Sequence, residues 1–107
     1  MITKNEATSI FNTTVDNRRA EYEKNTLDFC EGYLTNEIKS RAERGYRNFS
    51  FYLEAVESII GKSEVYDVKC TSSGASRISI SKLKEILVSS GYDFCPSHCS
   101  YFITINW

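Results

Sequence analysis

Proline and histidine are almost missing from this chain of 107 residues, which contains one of each, Pro96 and His98. Proline interrupts helices, so a sequence without it before residue 96 can form long ones. Nucleophilic catalysis needs a base beside the nucleophile. Cys95 and Cys99 lie so near His98 in sequence that they cannot easily share one substrate with it. The five glycines are far apart, which argues against a glycine-rich phosphate loop. We therefore expect no enzyme, no catalytic residue and no cofactor.

An excess of basic residues is also missing. The chain has 13 Lys and Arg against 14 Asp and Glu, a formal net charge of -1. Proteins that bind nucleic acid through its phosphates usually have a basic excess, so nucleic acid is not an expected partner. No apolar run reaches the roughly eighteen residues of a membrane helix, and the first residues do not read as a secretory signal. We expect no membrane contact and a cytoplasmic protein whose four cysteines are reduced.

The length and the hydrophobic share of 41% predict one soluble domain over residues 1–107. Residues 1–45 form its long helical segment, and residues 46–107 its α+β segment. The helix is predicted from residue 3 to about 44, because Thr3 to Glu6 fit a capping box and Gly45 is a natural stop. Apolar residues recur within it at steps of three and four: Ala7, Ile10, Phe11, Val15, Tyr22, Phe29, Cys30, Tyr33, Leu34, Ile38 and Ala42.

An unbroken helix of this length would extend about 60 Å, beyond the width of the rest of the domain. A break near Asn25 or Gly32 would shorten it. Without a break, the overhang would leave Ile10, Phe11 and Val15 bare unless another subunit covers them. We favour a homodimer for this reason.

The remaining residues predict short elements. Alternating apolar residues indicate strands, and glycines mark the ends of short helices. The predicted order is a strand at 46–53, a helix at 54–61, a strand at 65–70, a loop at 71–76, a helix from Ser79 or Ser81 to Gly91, a strand from Tyr92, a turn at Cys95–Cys99 and a last strand at 101–107. The expected fold is α+β: a long N-terminal helix and two short helices packed on a small, mainly antiparallel sheet with a C-terminal hairpin.

Arginine and tyrosine cluster where the first helix ends, at Arg41, Arg44, Tyr46 and Arg47. Guanidinium and phenol groups together suit an anion or a nucleotide. Arg18, Arg19 and Tyr22 form a second group of this kind. The alternative interpretation is that basic residues near a helix C-terminus complement its dipole.

A zinc site is the alternative interpretation of the segment Cys95-Pro-Ser-His-Cys99. Structural zinc takes four thiolate or imidazole ligands. Cys95, His98 and Cys99 could supply some of them, with Cys70 or Cys30 completing the set. A second pair of closely spaced ligands is missing, so no metal is expected and the segment is predicted to be a hairpin turn.

The last thirty residues resemble the closing segments of small phage-encoded accessory proteins. The resemblance rests on Leu83, the pair Gly91-Tyr92 and the final strand Tyr101-Phe-Ile-Thr-Ile-Asn-Trp107. It implies a fold and transfers no functional residue. It also implies a class of function: stoichiometric action in the host cytoplasm on a host protein, including a defence system, or on its nucleotide signal. Two alternatives stay open, a small zinc-dependent module that binds nucleic acid or protein, and an assembly protein that oligomerises through its long helix.

Overall fold

A computed structural model of the chain describes residues 1–61, 64–70, 74–97 and 102–107. The molecule is elongated, with extents of 63 × 28 × 25 Å, because one helical run is longer than everything that packs against it. Helices and antiparallel strands form an α+β fold, as the sequence predicts, although the number of helices and the arrangement of the strands differ from the prediction. No helix within the described ranges has both the length and the apolar character needed to cross a bilayer.

The long helical run has three parts, which are helix α1 (Lys4–Phe29), a π-helical turn (Cys30–Leu34) and helix α2 (Thr35–Glu43). The Thr3 hydroxyl caps the run by accepting a hydrogen bond from the Glu6 N–H at 3.1 Å. Gly45 ends it at a φ of 88°. There the Tyr46 N–H donates to the Arg41 carbonyl, and the Gly45 N–H donates to the Ala42 carbonyl, both at 3.0 Å. This is the Schellman geometry expected of a glycine stop.

The π-helical turn replaces the break that the sequence allowed near Gly32. The Thr35 N–H donates to the carbonyl of Cys30, five residues earlier, and the Thr35 hydroxyl donates to the same oxygen at 2.7 Å. The turn is therefore wider than an α-helical one, and the chain continues as a helix. Phe29 and Leu34 are buried, while Tyr33 is half-buried against the same core.

The strands form two antiparallel sheets instead of the single sheet predicted. The first has the order β1 (Asn48–Tyr52), β6 (Phe102–Asn106) and β5 (Asp93–Pro96), and its last two strands are the predicted C-terminal hairpin. The second has the order β2 (Glu54–Ala55), β3 (Val65–Cys70) and β4 (Gly74–Ser79). The chain leaves one sheet and enters the other at Leu53, which is buried between them.

The helix predicted at 54–61 is wrong. Glu54 and Ala55 pair with β3, and the Val56 N–H donates to the Val65 carbonyl at 3.4 Å. Gly61 follows with a φ of 103°. Eight residues are too few to hold a helix by local bonds alone, so pairing with β3 decides the conformation.

Two other predicted boundaries move. Residues 74–76 of the predicted loop belong to β4, and residues 71–73 lie outside the described ranges. Cys95 and Pro96, predicted to start a turn, end β5 instead. The third helix, α3 (Ile80–Ser89), begins at Ser79, whose hydroxyl accepts the Lys82 N–H at 3.4 Å.

The core lies between the helices and the inner faces of the two sheets. Helix α1 packs on β4, where the Thr26 hydroxyl accepts the Ser79 N–H at 2.9 Å and donates to the Tyr22 carbonyl at 2.7 Å. The Thr26 hydroxyl and the Ser79 N–H therefore both have hydrogen-bonding partners where the helix meets the sheet. The largest side chains that are almost completely buried are Phe29, Leu34, Ile78, Leu83, Ile103 and Ile105.

Candidate functional site

A groove of about 550 Å³ runs along β1, at the place where the chain crosses from the first sheet to the second. One wall comes from the helical run, the other from β3, and β1 lies between them. Five consecutive residues from Phe49 to Leu53 line it, so the groove follows the edge of the strand and not only one of its faces. The complete lining is Phe29, Tyr33, Phe49, Ser50, Phe51, Tyr52, Leu53, Glu54, Asp67 and Val68.

Aromatic rings hold the walls of the groove in place. Phe29 stacks on Tyr33 with ring centroids 5.3 Å apart and meets Phe51 edge to face at 5.5 Å. Phe49 lies 6.1 Å from Tyr33 and 6.0 Å from Phe51. Packed rings of this kind need no ligand to order them, so the groove is formed in advance, as is usual for binding sites.

The π-helical turn supplies one of these walls. It carries Tyr33 one turn after Phe29, where the stacked pair reaches the groove. Turns of this type are rare in helices and occur frequently at functional sites. The irregularity in the helical run and the groove therefore lie at the same place in the molecule.

Among the described residues, the strand edge that borders the groove has no hydrogen-bonding partner. In an antiparallel pair, alternate residues turn their backbone groups toward the neighbouring strand. Since the Trp107 N–H donates to the Arg47 carbonyl at 3.0 Å, residues 47, 49 and 51 are bonded to β6. The N–H and carbonyl groups of Asn48, Ser50 and Tyr52 point the other way. None of these groups makes a hydrogen bond within the described part of the chain.

Two carboxylates lie at one end of the groove. Glu54 on β2 is directly opposite Asp67 on β3, and Asp67 is directly opposite Arg77 on β4. Arg77 Nε lies 3.7 Å from Asp67 Oδ1, whereas Glu54 has no ion pair among the described residues. Like charges directly opposite one another destabilise a sheet. A cation placed at this end of the groove would relieve that repulsion.

Three of the residues predicted at the end of the first helix do lie together. The guanidinium carbons of Arg41 and Arg44 are each 5.6 Å from the centroid of the Tyr46 ring, and that of Arg41 is also 5.1 Å from the Phe49 ring. Arg44 Nε donates to the Ser40 carbonyl at 3.4 Å. These arginines therefore stack on rings and neutralise the end of the helix. Arg41 Nε is buried and makes no hydrogen bond within the described residues.

Arg47 follows this corner in the chain, and its carbonyl accepts the Trp107 N–H at 3.0 Å. Arg18 and Tyr22 lie elsewhere, about 35 Å and about 29 Å from Arg41 along the helical run at 1.5 Å per residue. Arg18 pairs with Glu21 at 3.0 Å, and Tyr22 is buried with 4% of its surface exposed. Both border an open depression of about 440 Å³ that shares no lining residue with the groove.

The proposed zinc ligands are described only in part. Cys95 is exposed, and Asn106 Nδ2 donates to its sulfur at 3.7 Å. Cys30 is buried in the core, and burial, with a smaller effect from Glu31, raises the pKa of its thiol from 9.0 to about 11. His98, Cys99 and the side chain of Cys70 lie outside the described residues. Among the described residues, no three Cys, His, Asp or Glu side chains gather where a metal could bind.

The groove residues were not predicted as a site, although one signal in the sequence points to them. Phe49, Phe51 and Leu53 alternate with Ser50 and Tyr52, and three of these five are aromatic. Alternation predicts the strand, but it does not show whether the strand is central or at an edge. Comparisons of the chain with family models, with curated proteins and with solved structures find no match.

Proposed function

We propose that this chain is a non-enzymatic binding protein and that it holds a segment of a partner protein in the groove along β1. The observation that carries the proposal is the groove itself, a preformed site of about 550 Å³ with aromatic walls and a strand edge that is unpaired within the described part of the chain. Sites of this volume accept a drug-sized ligand or a few residues of a peptide. The resemblance to phage accessory proteins makes a bacterial host protein, including a defence protein, the first partner to seek.

Exposed aromatic rings beside the groove support a protein partner. The Tyr52 side chain is 78% exposed, and its ring centroid lies 5.9 Å from that of Phe102, which is also exposed. Tyrosine and phenylalanine are enriched in the buried centres of protein interfaces, and a few such residues often dominate the binding energy. A partner that entered the groove would contact Tyr52, which lines it.

Nucleotide binding at the arginine corner is the second candidate function. The buried Arg41 Nε, a donor without an acceptor among the described residues, favours it. However, the C-terminus of a helix presents partial negative charge, which opposes an anion. The Arg41 and Arg44 guanidinium groups are also engaged with Tyr46. The groove instead offers an edge strand whose outward backbone groups have no partner among the described residues, so we place the function there.

A matched pair of tyrosine variants tests the proposal. Tyr52→Ala removes an exposed ring at the groove, and Tyr46→Ala removes a ring that is 52% exposed at the arginine corner. Both should fold, because neither ring is buried. A partner captured from bacterial lysate by the wild-type chain should bind Tyr46→Ala unchanged. It should bind Tyr52→Ala more weakly by about 2 kcal/mol, the loss typical of a dominant interface residue, as measured by calorimetry.

The opposite pattern would move the function to the arginine corner. Equal binding by both variants and the wild-type chain would remove the groove as the site. A nucleotide that raised the melting temperature of the wild-type chain but not of Tyr46→Ala would support sequestration of a signal instead.

A further inference from the structure

We propose that the groove takes its partner as an extended strand that pairs with the free edge of β1, and that this strand carries a lysine or arginine beside Glu54. The inference rests on the proposed function, since it specifies how the groove is occupied and by which kind of segment. The occupant is a segment of another protein with alternating side chains and a basic end.

The backbone of β1 provides the main-chain half of this pairing. Asn48, Ser50 and Tyr52 turn their N–H and carbonyl groups away from β6, and within the described residues these groups have no partner. Two residues along a strand span about 6.8 Å, so donors and acceptors recur at the spacing that another strand would match. Addition of a strand to such an edge is an established way to bind an extended peptide.

Each of the other edge strands has a protective feature that β1 lacks. Proteins shield their edges with proline, with short strands, or by covering them with another element. Here β5 ends on Pro96, β2 has two residues, and helix α1 packs on β4. The strand Asn48–Tyr52 has no proline and no charged side chain. An open and uncharged edge in an otherwise protected fold is consistent with a surface kept free for pairing.

The groove also determines which side chains the added strand should carry. Side chains beside Phe49 and Phe51 would point inward, against the stacked rings of Phe29 and Tyr33, so apolar residues fit there. Side chains beside Ser50 and Tyr52 would point outward, because both of these residues are exposed. Successive side chains of a strand alternate between the two faces. The preferred segment therefore alternates apolar and polar residues.

Charge complementarity sets the basic end of the segment. Glu54 follows β1 after one residue and lies directly opposite Asp67 on the neighbouring strand. Arg77 Nε, 3.7 Å from Asp67 Oδ1, balances one of these two carboxylates. A lysine or arginine entering from the groove would balance the second. An acidic residue at the same place would add a third negative charge.

Synthetic peptides test the inference without an identified partner. The probe is a seven-residue peptide of alternating valine and threonine with two lysines at one end, prepared with the lysines at either terminus. Alternate amides are N-methylated so that only one edge can pair, which prevents self-assembly. One control peptide carries two glutamates in place of the lysines, and another is methylated at every amide.

Hydrogen exchange on the wild-type chain is the first measurement. The lysine peptide should slow the exchange of the Asn48, Ser50 and Tyr52 amides at least tenfold. It should bind at least ten times more tightly than the glutamate peptide at low salt, with a smaller difference at high salt because of screening. The fully methylated peptide should not bind. Glu54→Gln should reduce the preference for lysine over glutamate by at least threefold.

A substitution at the edge is the second measurement. Ser50→Pro removes the central N–H of the free edge but no bond to β6, a position where strands tolerate proline. Thr104→Ala is its control, because it keeps the Ser50 N–H and loses the same contact, between Ser50 Oγ and Thr104 Oγ1 at 2.7 Å. Binding should fall at least tenfold in Ser50→Pro and stay within twofold in Thr104→Ala.

Three outcomes would overturn the inference. They are no binding of the lysine peptide at millimolar concentration, binding without protection of the three amides, and equal binding of the lysine and glutamate peptides. The exchange measurement decides even if Ser50→Pro fails to fold, since it uses the wild-type chain. A protein partner that is lost with Tyr52→Ala would leave the proposed function standing in each case.

Discussion

Cys30 and Cys95 are the same residue type in different surroundings, one buried and one exposed. Cys30 is 7% exposed, and burial raises the pKa of its thiol to about 11, with a smaller contribution from the charge of Glu31. It is therefore a neutral thiol at physiological pH and a poor nucleophile. Cys95 is exposed beside Asn106. The helical spacing of Cys30 predicts that it faces the core, but only the packed core changes its acidity.

The raised pKa predicts a loss of stability in alkaline solution. The folded chain holds the Cys30 proton more tightly than the unfolded chain, so this contribution is complete below about pH 9 and is lost as the pH rises through 11. The loss should approach about 2–3 kcal/mol for a shift of this size. Urea unfolding from pH 8 to 11 should therefore show a steeper decline for the wild-type chain than for Cys30→Ala. Since both share every other titrating group, parallel curves would contradict the prediction.

At the scale of elements, the π-helical turn is the part of the long helical run that brings Tyr33 to the wall of the groove. Gly32 lies within this turn, and a Cβ built on it would meet no atom within 4 Å. Its φ is not positive, unlike those of Gly45, Gly61 and Gly91. The glycine is therefore not required by space or by backbone conformation. The widened turn follows from the two hydrogen bonds that Thr35 donates to Cys30.

Gly32→Ala should therefore stabilise the protein. Alanine restricts the unfolded chain and favours helix, which together are worth about 0.5–1 kcal/mol. Gly91→Ala is the matched control, because Gly91 has a φ of 91° at the end of α3. Gly91→Ala should lower the free energy of unfolding by about 1–2 kcal/mol. Urea midpoints at constant slope measure both effects, and a loss of stability in Gly32→Ala would show that the turn needs its glycine.

At the scale of the whole molecule, the first half of α1 extends beyond the core. The first fully buried residue of the helix is Tyr22, while Ile10 and Phe11 are 60% and 56% exposed and Val15 is half-buried. The length of 63 Å against widths of 28 and 25 Å reflects this overhang. A second copy that covered these three side chains would form the homodimer expected from the sequence.

We predict a weak dimer that depends on concentration. Burial of each of these side chains is worth about 1.5–3 kcal/mol, and the sum over two copies is comparable to the ~4–15 kcal/mol cost of association. Light scattering should show a monomer at low micromolar concentration and a growing dimer fraction above it. Phe11→Glu should abolish the dimer. Val88→Glu, at an exposed position of α3, should leave it unchanged. A monomer at millimolar concentration would contradict the prediction.

Local signals in the sequence account for much of the scaffold. The cap at Thr3 and the stops at Gly45 and Gly91 appear where predicted. Ser79 is one of the two caps that the sequence offered for α3, and the closing hairpin forms with its first strand extended to Pro96. Each of these features is formed by residues that are close in the sequence, so a short segment is enough to predict it. The helix predicted at 54–61 fails because its competitor, β3, is distant in sequence.

The sequence by itself therefore determined the class of fold, the long helix and the ends of most elements, since these depend on propensity, periodicity and capping. Only the tertiary structure decided that the strands divide into two sheets and that β1 is an edge strand. It alone brought the π-helical turn beside β1 and set Glu54 against Asp67. These features depend on the pairing of strands that are distant in sequence. The side chains of one segment do not specify that pairing. The groove belongs to this second kind, because its walls come from three elements that meet only in the folded chain.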